Sequence, residues 1–154
     1  MIKRIYIDTS VFGGYFDTEF SRDTIPFFEK LISNKVEIVV SETLELEIYR
    51  APEFIIEFYE SLQNLNKVEL TIEVKNLAEK YIEEKVVGKT SLADCQHIAL
   101  ATINIVDVLA SWNFKHIVNL ERIRGYNSIN IREGYKMIEI RTPKEIFDYG
   151  RNNK

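Results

Sequence analysis

Lys3-Arg4-Ile5-Tyr6-Ile7-Asp8-Thr9-Ser10-Val11 is the stretch that decides the fold. Three consecutive large apolar residues, Ile5 to Ile7, have no polar alternation and stop at a carboxylate. A strand covered on both faces reads this way, as the central strand of a parallel sheet does. Ile5 and Ile7 are therefore expected to be buried. Working outward, Gly13-Gly14 breaks the pattern and reads as a loop. Thr24 to Ser33 reads as a helix, with Thr24 placed to cap it, Pro26 tolerated in its first turn, and Phe27, Phe28, Leu31 and Ile32 as one apolar stripe.

Val36 to Val40 reads as a second strand, with Ser41 positioned to cap the next helix. From Glu42 to Asn64 the pattern is helical, with a break at Ala51-Pro52, because a residue before proline is pushed out of the α region. Val74 to Glu84 is a further helix. Ser91 opens another that runs to about Thr102. Ile105 to Ala110 and Met137 to Ile140 read as the third and fourth strands. Strands alternating with helices imply an α/β fold built on a mainly parallel central sheet flanked by helices.

The chain has 154 residues, one domain's worth, expected over 1–150 with a short tail at 151–154. Apolar and charged fractions of 45% and 29% match an ordinary globular domain. No run approaches the roughly 20 apolar residues of a membrane span, and the N-terminus lacks a signal-peptide pattern, so a cytoplasmic protein is expected. Cys95 is the single cysteine, which excludes an internal disulfide and a cysteine-based zinc site. Its apolar helical setting predicts an inert thiol. The net charge of −4 argues against one broad basic surface for nucleic acid, yet is compatible with carboxylates gathered around cations. No glycine-rich phosphate loop is present, since Gly13-Gly14 lacks the Lys-Ser/Thr that follows in such loops.

Ligands of open parallel sheets bind beyond the carboxyl ends of the strands. Asp8 ends the first strand, and Asn113 follows the third. Glu47 and Asp94 lie early in helices that can flank the same crevice. Oxygen ligands converging from separate elements suit magnesium or manganese. Each residue also has a plainer role. Asp8 can start an Asx turn, Glu47 can be one charge of a solvated face beside Glu42 and Glu45, and Asn113 can be a turn residue. Ser91-Leu92-Ala93-Asp94 has the spacing of a capping box. His97, among Cys95, Ile98 and Ala99, reads as a core or rim histidine rather than a ligand.

These segments, in order, resemble the PIN domain family of VapC-like toxins and related ribonucleases. Ile5 to Val11 resembles its opening strand and acid. Val39-Val40-Ser41 with Leu46-Glu47-Ile48 resembles its second strand and helical glutamate. Ala93 to Ala101 resembles the helix of its third acid, and Asp107 to Phe114 the strand and turn of its fourth polar position. The resemblance implies a metal-dependent endoribonuclease in which Asp8, Glu47, Asp94 and Asn113 hold Mg2+ or Mn2+ and carry catalysis. It also implies an RNA substrate, an antitoxin protein as partner, and a homodimer. The surplus of helical aromatics at Phe54, Phe58, Tyr59 and Tyr81 is a separate argument for the dimer. Many relatives carry Asp where Asn113 stands, after a Thr-Asn pair that Ser111-Trp112 replaces here. A neutral amide brings no charge, so a second metal is expected to bind more weakly. Glu45 rivals Glu47, and the resemblance favours Glu47. Thr9 and Ser10 are placed to bond a carboxylate or a phosphate. Lys89, Arg50 and Lys115 are either contacts for an RNA backbone or solvated surface. Three other readings stand beside this one: a catalytically weak or inactive PIN domain that binds RNA or protein, a phosphotransfer or dehalogenase-like domain, and a simple interaction module. The second expects another acid two residues after Asp8, where Ser10 stands.

Overall fold

The computed structural model describes residues 2–87 and 91–146. Lys89 and the tail at 151–154 lie outside them. Five strands and seven helices follow one another among the described residues: β1 (Arg4–Ile7), α1 (Thr9–Gly14), α2 (Ser21–Ser33), β2 (Glu37–Ser41), α3 (Glu42–Ile48), α4 (Glu53–Ser61), β3 (Leu65–Val68), α5 (Ile72–Glu83), α6 (Leu92–Ile103), β4 (Val108–Ala110), α7 (Leu120–Arg132) and β5 (Ile140–Arg141). The strand order is β3-β2-β1-β4-β5, and every pairing is parallel. The order runs one way from β1 to β3 and then resumes on the other side of β1 with β4. The carboxyl ends of β1 and β4 thus flank the topological switch point, where open α/β sheets bind ligands.

Strand alternation divides the interior into two cores. Ile5, Ile7, Ile38, Val40, Val108 and Ala110 face one core, shared with Phe12, Phe27, Phe28, Leu31 and Tyr59. Tyr6, Val39 and Leu109 face the other, shared with Leu77, Tyr81, Ile98, Leu100 and Tyr126. Ile5 and Ile7 are fully buried, as a central parallel strand requires. No helix among the described residues is long and apolar enough to cross a membrane.

The local sequence reading is corrected at several places. Gly13-Gly14 is not a loop but the last turn of α1. A Cβ on Gly14 would lie 2.8 Å from Cδ1 and Nε1 of Trp112, so glycine lets α1 approach that ring. Thr24 is not the cap of α2, which starts three residues earlier. Its hydroxyl donates to the Phe20 carbonyl and accepts from Trp112 Nε1. The long helical stretch to Asn64 ends at Ser61. Asn64 takes a left-handed conformation (φ 61°), and the edge strand β3 follows. The helix expected from Val74 starts at Ile72, where Thr71 caps it by accepting from the Val74 amide. Ile105 also has φ above zero (51°) and is exposed, so β4 begins only at Val108. Met137 is exposed, and β5 begins at Ile140. α7 forms where no element was expected, capped by Asn119 accepting from the Arg122 amide.

The contact between α1 and Trp112 carries a stability prediction. Gly14→Ala is expected to cost about 1–3 kcal/mol, because a buried indole must shift to admit a methyl group. Gly13→Ala meets no atom within 4 Å and is expected to be neutral or stabilising by up to about 1 kcal/mol. Urea denaturation of the two variants checks the contrast in sign.

Candidate metal and active site

Asp8 leaves β1 at the switch point and is 3% exposed. Its amide donates to the Ala110 carbonyl, so β1 and β4 fix its backbone. Both carboxylate oxygens are held: Ser10 Oγ donates to Oδ1 at 2.6 Å and Ser111 Oγ donates to Oδ2 at 2.7 Å. The Trp112 amide donates to Ser10 Oγ and the Asn113 amide to Ser111 Oγ, which ties the loop after β4 to Asp8. Asp8 occupies the N-cap position of α1, yet its side chain makes no capping bond. Its carboxylate is held by Ser10 and Ser111 instead.

Glu47 projects from the last turn of α3, whose start is set by Ser41 accepting from the Leu44 amide. Thr9 Oγ1 donates to Glu47 Oε1 at 2.7 Å, and His97 Nε2 lies 2.5 Å from the same oxygen. Glu45 faces elsewhere: Tyr59 donates its hydroxyl to one oxygen, and Lys67 Nζ pairs with the other at 2.6 Å. The structure therefore separates the two glutamates, with Glu47 bound to Thr9 and His97 and Glu45 to Tyr59 and Lys67.

Asp94 lies in the first turn of α6. The expected capping box does not form. Ser91 makes no side-chain cap bond, and its hydroxyl instead pairs with His116 Nδ1 at 2.7 Å. The side chain of Asn113 favours the charged form of Asp94. Asn113 accepts from the His116 amide through Oδ1, so it holds a turn. Asp107 lies at the far end of the sheet, where the amides of Lys3 and Arg4 donate to it, and it does not make up for the missing fourth acid.

The electrostatics bind these groups into one cluster. Burial pushes Asp8 above the usual carboxylate range; the His97 charge and the bonds from Ser10 and Ser111 oppose this, and Asp94 adds to it. Burial likewise raises Asp94, against the pull of His97 and His116, and the Glu47 charge raises it further. Burial also acts to raise Glu47, but the hydrogen bond and charge of His97 and the bond from Thr9 outweigh it, leaving Glu47 below its ordinary value. Burial acts to lower His97, but Glu47, Asp8 and Asp94 outweigh it and raise the imidazole. One buried histidine thus feels all three acids. In the positions seen here, no three Asp, Glu, His or Cys side chains among the described residues form a group able to hold a metal ion.

No family model and no curated protein matches the chain. Solved structures do. A chain of the VapBC2 complex from Rickettsia felis, bound to a promoter DNA fragment, superposes with a TM-score of 0.59 at 13% identity. It covers 90% of this chain and 98% of that one. FitAcB from Neisseria gonorrhoeae gives 0.58 at 11% identity, over 90% and 97% of the two chains. The Mycobacterium tuberculosis toxin VapC20, which cleaves the sarcin–ricin loop, gives 0.53 at 12% identity, over 72% and 91%. This chain has the PIN-domain fold.

Within the PIN fold, Asp8, Glu47, Asp94 and Asn113 come from the ends of β1, α3, the start of α6 and the loop after β4. Sequence reasoning missed what holds them. Ser111, read only as a substitute in a motif, fixes Asp8. His116, to which no role was given, pairs with Ser91 and favours the charged form of Asp94. The signal available was Ser111-Trp112-Asn113 itself, since a serine two residues before an amide at a strand end is well placed to bond its own loop. His97 is a core histidine, as its apolar neighbours suggest, but one whose far nitrogen reaches the site. Cys95 is buried, and burial pushes its thiol up to about 12, consistent with an inert side chain. Phe20 stacks on Trp112 at 4.6 Å between centroids, and beside them Phe114 is exposed.

Proposed function

We propose that this chain is a VapC-like toxin that hydrolyses RNA phosphodiester bonds with Mg2+ or Mn2+, acts in the cytoplasm, and is held in check by an antitoxin protein. The observation that carries the reading is Asp8, a buried carboxylate held at both oxygens at the switch point of the sheet. Solved structures of the same fold, the VapBC2 complex and the sarcin–ricin-loop-cleaving toxin VapC20 among them, support it.

The donor set fits a hard cation. Three carboxylates and an amide offer only oxygen, and burial leaves two of the acids uneasy as anions. Ser10 and Ser111 hold Asp8, while Thr9 and His97 hold Glu47. Asp94 is less constrained than these two and is only partly buried. When bound, a divalent ion lowers the pKa of a coordinated water and offsets charge that builds on the phosphate. The residues themselves set the place of attack, and hydrolysis there leaves a 5′-phosphate and a 3′-hydroxyl. Arg50 and Lys115 are exposed and available to an RNA backbone.

A paired substitution tests the assignment. Glu47→Gln is expected to lower RNA cleavage by at least about 10²-fold, as loss of one group aimed at reacting charge does. Glu45→Gln is expected to leave cleavage near wild type, because Glu45 serves Tyr59 and Lys67. Equal losses would refute the assignment. A second reading, an inactive domain that binds RNA or protein, is favoured by Asn113, which is neutral and engaged with the His116 amide. Wild-type protein that cleaves no RNA in Mn2+ would select it.

Homodimerisation is part of the proposal, but its aromatic argument changes. Tyr59 and Tyr81 fill this chain's own cores, and Phe58 packs against one of them. Of the four, Phe54 alone is well exposed.

A further inference from the structure

His97 is 1% exposed, and imidazoles are seldom buried so fully unless both nitrogens are satisfied. Here both are. Nε2 lies 2.5 Å from Glu47 Oε1, and Nδ1 lies 2.6 Å from the Tyr6 hydroxyl. A carboxylate only accepts, so Nε2 carries the proton in that bond. The Tyr6 hydroxyl pairs in turn with Ser41 Oγ at 2.7 Å, and Ser41 caps α3 by accepting from the Leu44 amide. The chain of bonds thus starts at the cap of α3, passes through the buried centre of β1, crosses to α6, and returns to Glu47 in the last turn of α3. A hydroxyl next to Nδ1 can donate to it or accept from it, so the network stays satisfied whichever way its protons point.

We propose that His97 is a positioning residue for Glu47: with Thr9 it holds Oε1, fixes the rotation of the carboxylate, and leaves Oε2 as the oxygen offered to a divalent cation. The proposal rests on the metal-site reading above and adds to it the residue that orients one ligand. Three geometric facts support it. Both bonds from neighbouring elements fall on the same oxygen of Glu47. α6 carries His97 one turn after Asp94, so a single helix supplies one acid of the cluster and the group that orients another. The Thr43 hydroxyl donates to Gln96 Oε1 at 3.0 Å, which holds α3 against α6 next to the His97–Glu47 bond. A glutamate at a helix end otherwise samples several rotamers, and each must be lost when an ion binds. Outer partners that remove this freedom are typically worth 10–100-fold in metal affinity.

The test uses two amides of different reach. Glutamine at this position places its amide nitrogen near the place of Nε2 and can still donate to Glu47. Asparagine is one methylene shorter and reaches only the Tyr6 side. Mn2+ affinity is measured by calorimetry on the whole chain for wild type, His97→Gln and His97→Asn, after melting curves confirm that each folds. RNA cleavage is then followed as a function of Mn2+. His97→Gln is expected to bind Mn2+ close to wild type. His97→Asn is expected to bind roughly 10-fold or more weakly, to regain much of its kcat at saturating Mn2+, and to keep KM for RNA. Should His97→Asn not fold, Tyr6→Phe puts the same question by withdrawing the bond to Nδ1. Folded His97→Asn or Tyr6→Phe with wild-type Mn2+ affinity overturns the proposal, and so does His97→Gln binding as weakly as His97→Asn. Wild-type protein that binds no Mn2+ gives a different signature. That result removes the metal-site reading itself, and the positioning role with it.

Discussion

Asp8→Asn is expected to lower RNA cleavage by about 10²–10³-fold and to blunt stabilisation by Mn2+, while costing no stability in metal-free buffer. The substitution keeps the shape of the side chain and removes its charge. Ser111 Oγ already accepts from the Asn113 amide and has a second lone pair for the new amide donor, so the local bonds can be remade. The unchanged stability follows from the sign of the shift. Asp8 is raised from 3.8 in the fold, mainly by burial, so the folded chain holds this proton to higher pH than the unfolded chain does. Stability therefore falls as pH rises from about that value through the raised one, and the loss is complete above it. The amide variant escapes that loss, as melting curves against pH in EDTA would show by a shallower decline than in wild type. In wild type, an ion present at 100 times its dissociation constant adds about 2.7 kcal/mol, or several degrees in Tm for a chain of this length. Equal Mn2+ shifts in wild type and variant would exclude Asp8 as a ligand.

The largest loss of stability is expected at Asn127→Leu. Asn127 is buried on α7 and clamps the segment leading into β5 from both sides: the Ile138 amide donates to Oδ1 at 2.7 Å, and Nδ2 donates to the Ile138 carbonyl at 3.1 Å. Leucine is similar in size but offers neither bond. Two buried backbone groups are then left without partners, at about 1–3 kcal/mol each before relaxation. Some rearrangement offsets this, and a net loss of about 2–4 kcal/mol is expected, or roughly 5–15 °C in Tm. Thermal and urea melts check it. A loss below about 0.5 kcal/mol would show that β5 is held by packing of Ile138 and Ile140 alone.

The same residue shows why part of the fold was hard to read. α7 turns Asn127 and Asn130 toward the core, where Tyr81 donates to Asn130 and Asn130 donates to Thr102. Its apolar stripe is therefore interrupted by amides, and Gly125 sits in its middle, where a Cβ would meet Val86 at 2.9 Å. Periodicity cannot show a helix whose buried face is partly polar. β3 was missed for the opposite reason. It is a half-exposed edge strand, so Leu65-Asn66-Lys67-Val68 carries little apolar signal. β1 was legible because both of its faces are covered, which leaves an unbroken apolar run. Asp8, Asp94 and Asn113 were legible as candidates because they stand at a strand end, a helix start and the loop after a strand, whereas Glu47, expected early in its helix, lies in the last turn of α3. Their support was not, since Ser111 lies 103 residues from Asp8 and His97 lies 50 from Glu47. Such partners meet only after β4 docks beside β1 and α6 packs against α3.

The most direct test of the account is the chemistry of the cut ends. End-labelled structured RNA is incubated with wild-type protein in Mn2+, and in EDTA, and the products are resolved by their termini. Hydrolysis by a metal-activated water predicts 5′-phosphate and 3′-hydroxyl ends that appear only with Mn2+ or Mg2+. Ends bearing a 2′,3′-cyclic phosphate, or cleavage that persists in EDTA, would contradict a metal site at Asp8, Glu47 and Asp94 as the seat of the reaction.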